Sequence, residues 1–231
     1  MKKITVLTGA GVSAESGIKT FRDADGLWEG HDVMEVASPQ GFAKNPALVL
    51  DFYNQRRRQL HTVAPNSAHL RIAELEKHHH VTIVTQNVDN LHERAGSTNI
   101  IHLHGELTKS RSVSDDQTIY DCPNDIVLGD LAPDGGQLRP HIVWFGEMVP
   151  MLERGALAVS QADIIIIIGT SMQVYPAAGL VGYARSDARI YYIDPRPSIN
   201  YELERSSNLE VIEAVATVGM AQLFHQLTSA E

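Results

Sequence analysis

Cysteine is nearly absent. Among 231 residues only Cys122 carries a thiol. One thiol excludes an internal disulfide framework and suits a reducing compartment. Positive charge is also short: 19 lysines and arginines stand against 28 aspartates and glutamates, a net charge of −9. With no long basic run, nucleic acid is not expected as a main partner. The acidic balance would suit basic, lysine-containing substrates, but solubility alone accounts for it. Long apolar runs are missing too. Ile164 to Ile168 is far too short to span a bilayer, so no membrane partner is expected. The opening MKKITVL runs directly into a strand, without a secretory apolar region and cleavage site. A soluble, cytoplasmic protein is expected. Repeats and low-complexity segments are absent. What is present is 43% hydrophobic residues, enough for a sizeable core, in a length that suits one domain with at most a small insertion.

The chain is organised around Ile4 to Asp23. A β-branched apolar run, Ile4 to Leu7, enters a glycine turn at Gly9, Ala10 and Gly11, and a helix is expected to open near Ser13. Gly9, Gly11 and Ala14 fit the spacing G-x-G-x-x-G/A. There the first glycine permits a tight turn, the second lets backbone approach a pyrophosphate, and the small third residue lets helix pack on strand. The helix start would offer free N–H groups to the phosphates. The motif alone fits a plain strand-to-helix turn equally well. Ser16-Gly17-Ile18 and Phe21-Arg22-Asp23 then continue as a polar loop, where a plain dinucleotide-binding helix should gain apolar periodicity.

Further on, Ala24 to Glu35 reads as a loop in which Trp28 is either a hydrophobic latch or a ligand contact. Asn45-Pro46 caps a helix over ALVLDFYNQRRRQL. Pro65-Asn66-Ser67 opens another, with Ala68, Leu70, Ile72, Ala73 and Leu75 on its apolar side. His78 to His80 read as a solvated helix end, since adjacent residues do not share a helix face. Val81 to Thr85 is a buried parallel-type strand that delivers Gln86, Asn87 and Asp89 at its C-terminal end, where ligands sit in open α/β sheets. Ile100 to Leu103 leads to His104-Gly105. Lys109 to Gln137 is the least regular stretch and reads as an insertion. Ile142 to Trp144 leads into the loop Phe145-Gly146-Glu147. A helix over about 152–161 precedes the strand IIIIIG, which ends in Gly169, Thr170 and Ser171. Residues 177–184 are helical, Arg189 to Ile193 is a strand ending in Asp194-Pro195, and the tail is a short strand and a helix. Alternating buried strands and helices predict an α/β fold with a parallel sheet.

GAGVSAESGIKTFRD resembles the signature of the sirtuins, the NAD-dependent protein deacylases. The family's other blocks follow in order: Thr85-Gln86-Asn87 with Asp89 and Leu91-His92, His104-Gly105, Trp144-Phe145-Gly146-Glu147, Gly169-Thr170-Ser171 and Val174-Tyr175-Pro176. AESGI, ADGLWE, FYNQRRRQL and VYPAAG bring the chain nearest the bacterial members of the desuccinylase-like branch. The resemblance implies a Rossmann-type sheet with helices on both faces (about 1–23, 66–106 and 141–231). A small insertion lobe (about 24–65 and 107–140) would complete it, with the reaction in the cleft between the two.

It also implies that NAD is consumed. The acyl-lysine carbonyl oxygen attacks the ribose carbon as nicotinamide departs, and water then releases free lysine and O-acyl-ADP-ribose. On this resemblance His104 is the general base, a task suited to a side chain titrating near working pH. Asn87 and Asp89 favour nicotinamide departure, and Gln86 meets the ribose hydroxyls. The phosphates fall to Gly9, Ala10, Ser13, Arg22 and Ser171. Gly11, Glu15, Thr20, Phe21, Trp28, Gly169 and Thr170 complete the NAD site. The substrate peptide would add as a strand between Phe145-Gly146-Glu147 and Val174-Tyr175. Val143 would offer its carbonyl to the acyl amide, and Phe145 would line the channel. Acylated lysine-containing proteins are the expected partners, and a monomer is expected. A protein that only binds NAD would lack His104, Asn87 or Asp89. Protein ADP-ribosyl transfer shares the first bond cleavage and differs in where ADP-ribose ends up.

Three further residues refine the expectation. Most sirtuins hold a structural zinc with two cysteine pairs, whereas this chain has only Cys122 and no histidine between Lys109 and Gln137. No metal site is expected. Asp194 stands where the family more often has asparagine. It is either a reader of the adenosine ribose, favouring NAD over NADP, or a turn residue before Pro195. Tyr53 and Arg56 share a helix face and resemble the pair that marks the desuccinylase-like branch, and Ala24 matches its pocket-widening small residue. A guanidinium and a phenol can together hold an acyl carboxylate, so succinyl and malonyl groups are expected substrates beside acetyl. From composition alone, Arg56, Arg57 and Arg58 would form one solvated basic face.

Overall fold

The computed structural model describes residues 1–19, 27, 28 and 30–229. Six parallel strands form the main sheet in the order β11-β10-β9-β1-β4-β5. They are β1 (Lys3–Thr8), β4 (His80–Thr85), β5 (Ile100–His102), β9 (Ile164–Ile168), β10 (Arg189–Ile193) and β11 (Leu209–Ile212). The isoleucine run explains why the sheet is covered on both faces. In β9, Ile164, Ile166 and Ile168 join the cluster that holds Ala68, Ile72, Met220 and Leu223. Ile165 and Ile167 join the opposite cluster with Val159, Leu180 and Val181. A central parallel strand buried on both sides reads as an unbroken apolar run rather than an alternation.

One face is covered by α5 (Ser67–Glu74) and α9 (Ala216–Thr228), the other by α7 (Leu152–Ser160) and the 3-10 helix Ala177–Tyr183. The apolar side of α5 differs from the expected one. Leu70 is exposed, and His69 is buried in the row with Ala68, Ile72 and Leu75. The capping hydrogen bond turns His69 inward, its Nδ1 accepting the Asn66 N–H at 3.3 Å. His79 is likewise buried, with Nε2 3.3 Å from the Leu227 carbonyl, so only part of the histidine run is a solvated end.

A second, three-stranded antiparallel sheet runs β7-β6-β8. It comprises β6 (Gly105–Ser112), β7 (Ile119–Asp121) and β8 (Leu138–Ile142). The polar stretch GELTKSRS is therefore an ordered strand, not the start of an irregular insertion. Its pairing with β8 supplies the order that its side chains do not advertise. Against this sheet lies α4 (Pro46–Leu60), started by Asn45, whose side chain accepts the Leu48 N–H. Val49, Phe52 and Tyr53 of α4 pack with Leu107, Ile142 and Trp144.

The three arginines of α4 do not form one face. Arg57 is 2% exposed. Its Nε donates to the Leu107 carbonyl and its Nη1 to Asn54 Oδ1, both at 2.7 Å. Asn54 in turn donates to and accepts from the Ile126 backbone. Cys122 sits beneath, buried with Leu50 and Ile126, its thiol donating to the Asn124 carbonyl.

Candidate active site

A cavity of about 510 Å³ opens at the C-terminal ends of the central strands and extends to α4 and the loop after β8. Its floor is built by strand ends: Gly9, Ala10, Gly11, Ser13 and Glu15 after β1, Gln86, Asn87 and Asp89 after β4, His104 after β5, Gly169, Thr170 and Ser171 after β9, and Asp194 after β10. That is where a doubly wound sheet places its ligand. Trp28, Tyr53, Val143, Phe145, Gly146, Glu147, Val174 and Tyr175 line the remaining walls. Thr20, Phe21, Arg22 and Ala24 lie outside the described residues.

The glycine turn is needed first for backbone packing. A Cβ on Gly9 would meet the Gly169 carbonyl oxygen at 2.8 Å, and one on Gly11 would meet the Gly169 Cα at 2.7 Å. Gly169 itself has φ of +63°, a conformation natural to glycine. The expectation of an array of free N–H groups is corrected. Gly11 N–H donates to the Gly169 carbonyl, Gly9 N–H to Ile168, Val12 N–H to Gly9 and Ser13 N–H to Ala10. The helix that follows, α1, spans only Gly11–Ala14.

Ser13 is the hub below the turn. Its hydroxyl donates to Asp89 Oδ2 at 2.9 Å and accepts from Asn87 Nδ2 at 3.2 Å. His69 Nε2 lies 3.4 Å away. Because the hydroxyl proton goes to Asp89, and His69 Nδ1 accepts from Asn66, His69 Nε2 is the protonated nitrogen of a neutral ring. Burial holds His69 down to about 4. Burial also raises the Asp89 carboxyl above its ordinary range. Sequence reasoning had no sign of His69. Only its position three residues after the capping Asn66 hints that it turns inward.

His104 Nδ1 lies 3.1 Å from the Gln86 carbonyl oxygen. A carbonyl only accepts, so Nδ1 carries the hydrogen and Nε2 keeps its lone pair. Burial pushes the ring below the ordinary histidine range, so it stays neutral. Gln86 Nε2 donates to Thr170 Oγ1 at 3.1 Å, joining the β4 and β9 loops.

Two expected ligand contacts have structural tasks as well. Both carboxylate oxygens of Glu15 accept from Thr217, one from its N–H and one from its hydroxyl, and so cap α9. Asp194 Oδ1 accepts the Arg196 N–H at 2.8 Å, the turn role, while the residue also lines the cavity.

The loop after β8 is fastened by Glu147. Its carboxylate accepts from Arg139 at 2.6 Å, from Arg111 at 3.3 Å and from the Trp144 N–H at 2.8 Å. Burial alone would raise this carboxyl, but the Arg139 and Trp144 bonds hold it below the usual range. Arg139 stacks 3.3 Å from the Trp144 ring centre. Trp144 Nε1–H donates to Tyr53 Oη at 3.0 Å. Phe145, Val174 and Tyr175 remain exposed at the mouth. Arg56 is not among the cavity's lining residues. Its Nη1 donates to the Phe52 carbonyl at 2.7 Å, and its guanidinium lies 3.8 Å from the Phe52 ring centre.

Residues 9–176 match the Sir2 family. The chain is 60% identical over 227 residues to a protein of Helicobacter pylori (strain ATCC 700392 / 26695) named NAD-dependent protein deacylase, covering 98% of both chains. Among solved structures, a mutant Sir2 homologue in complex with ADP-ribose superposes with a TM-score of 0.88 at 39% identity, covering 99% of this chain and 93% of the other. A Sir2 homologue in complex with NAD gives 0.87 at 40% identity, with 99% and 91% covered.

Proposed function

The chain belongs to the Sir2 family, and from that premise we propose that it is an NAD-dependent protein-lysine deacylase acting on acetyl, succinyl and malonyl groups. The observation that carries the reading is the commitment of His104 Nδ1 to the Gln86 carbonyl, inside the cavity shared with Asn87 and Asp89. A buried, neutral imidazole with its free nitrogen on the other side of the ring is poised as a general base. Gln86, tied to Thr170, is at the place to meet ribose hydroxyls. Asn87 and Asp89, both bonded to Ser13, supply amide and carboxyl groups for nicotinamide. The glycine turn, Ser171 and Asp194 accommodate the dinucleotide's other half, which is why NAD is the expected co-substrate.

Residues of about 24–65 and 107–140 form a second lobe over the cleft on this reading, and the loop 145–147 with Val174 and Tyr175 receives the peptide of an acylated protein. A single cysteine suits a cytoplasmic setting. Cys122 does not fit a structural zinc, because its thiol is buried among apolar side chains and donates to the Asn124 carbonyl. Tyr53 is the support for acidic acyl groups. Its oxygen already accepts from Trp144, which leaves its own proton to donate to a ligand carboxylate.

The test is mass spectrometry of the protein with NAD and acetyl- or succinyl-lysine peptide. Nicotinamide, free lysine peptide and O-acyl-ADP-ribose are expected. ADP-ribosylated protein with the acyl group intact would overturn the reading.

A further inference from the structure

Two histidines at the end of β5 are tied to the same loop after β4. His104 holds Gln86, as described above. His102, which does not line the cavity, has Nδ1 3.4 Å from the Asn87 carbonyl oxygen and Nε2 2.6 Å from Glu93 Oε1. Glu93 lies on α6 (Leu91–Arg94), directly after the Asp89 loop. We infer that Glu93 and His102 are a positioning pair for the nicotinamide end of the site, His102 donating its Nε2–H to the Glu93 carboxylate on one side and its Nδ1–H to the Asn87 carbonyl on the other. This rests on the reading that Asn87 and Asp89 hold nicotinamide.

A carbonyl oxygen accepts only, and a carboxylate accepts only. The ring satisfies both together when both its nitrogens carry hydrogen. The charged ring is thus the form that clamps the peptide between Asn87 and Val88. That clamp complements the side-chain bond from Asn87 to Ser13, fixing residue 87 from front and back. The charges around the ring agree. Burial alone would push His102 down, but the Glu93 hydrogen bond and charge, together with Glu106, raise it overall. A ligand atom of Glu106 on β6 lies within 4.8 Å of those of the pair. The other titratable groups facing it are His92 on α6, His141 on β8 and Asp89 on the loop. Burial holds His92 near 3 and His141 near 4, so neither competes as a cation.

The sign follows from the direction. A raised histidine keeps its proton, and the clamp, as pH climbs past the ordinary histidine range, and loses both on the alkaline side. The experiment compares wild type, Glu93→Gln and His102→Gln in nicotinamide exchange and in kcat/KM for NAD, from about pH 6 to about pH 9, around the ordinary histidine range. Glu93 is partly exposed, so Glu93→Gln is expected to fold. Its alkaline limb should move to lower pH, with kcat/KM about tenfold down near pH 8, the scale of one hydrogen bond from a charged donor. Near the acid end it should converge on wild type. His102→Gln should lack that limb and stay low throughout. A wild-type alkaline limb in Glu93→Gln overturns the inference, and so does a lowered unfolding temperature with the limb unmoved. Asn87→Ala separates the two readings. Exchange retained in Asn87→Ala would overturn the nicotinamide site itself, whereas exchange lost there with an unmoved limb in Glu93→Gln overturns only the positioning pair.

Discussion

Replacing Arg57 by methionine isolates the bolt that joins α4 to the second sheet. Methionine keeps much of the apolar stem and removes the guanidinium. Two hydrogen bonds from a charged donor disappear, to the Leu107 carbonyl and to Asn54 Oδ1. Bonds of this kind contribute roughly 1.5–3 kcal/mol each, so about 3–6 kcal/mol is removed in gross terms. Part is returned, because burial disfavours the Arg57 charge and its Nη2 has no partner. A net loss of about 2–4 kcal/mol remains, allowing roughly 1–2 kcal/mol of relief from the buried charge. For a chain of this size that corresponds to a fall in Tm of about 4–16 °C. Thermal unfolding followed by circular dichroism reads it directly. Arg58→Ala is the control on the same helix turn. Arg58 is exposed and its ion pairs with Asp125 and Asp51 contribute at most about 1 kcal/mol. If Arg57→Met melts with wild type, or no lower than Arg58→Ala, the bolt does not hold the lobe and the reasoning fails.

His104→Ala should abolish deacylation with melting temperature and NAD binding preserved, as read by turnover and calorimetry. The depressed His104 ring predicts that activity persists as pH falls through the ordinary histidine range, which a pH profile at saturating substrate checks. Tyr53→Phe should raise the Michaelis constant for succinyl-lysine peptide about tenfold or more, and for acetyl-lysine peptide much less. Equal weakening of both would make Tyr53 structural. Acid should destabilise the fold through His69 and His92, neutral when folded and held near 4 and 3. Below about pH 6.5 the unfolded chain binds their protons first, so stability drops by about 1.4 kcal/mol per histidine per pH unit until the folded values are reached. Denaturant midpoints that stay constant from about pH 6.5 to about pH 4.5 would contradict this. Elemental analysis of tag-free protein should find no stoichiometric zinc.

Local rules made the main sheet readable. Five consecutive isoleucines announce a strand covered on both faces, and Asn45-Pro46 announces the start of α4. Strand ends followed by glycine, amide or histidine announced the floor of the cavity. What stayed hidden depends on destinations rather than on local pattern. Arg56, Arg57 and Arg58 are the same residue type in one row, and only the arrival of Leu107 and Ile126 decides that the middle one is buried. Leu70 and His69 exchange their expected places because a cap pulls the ring inward. GELTKSRS carries no strand signal of its own until β8 pairs with it. The glycine turn was found for the right shape, but its crowding comes from Gly169, nearly 160 positions away along the chain. Glu147 was expected in the peptide loop, and its carboxylate has a task the sequence did not show, binding two arginines drawn from separate strands.

The contact series from Glu147 through Arg139 and Trp144 to Tyr53 has a consequence for how selectivity can change. Its first member shapes the rim and its last member forms the inner wall, so mouth and inner wall are geared together. Altering the rim to admit a different peptide would turn the indole, and the indole would turn the phenol. On the proposed function, peptide preference and acyl preference are then linked traits in this scaffold. A selection for one should drag the other with it, unless a second change at Tyr53 uncouples them.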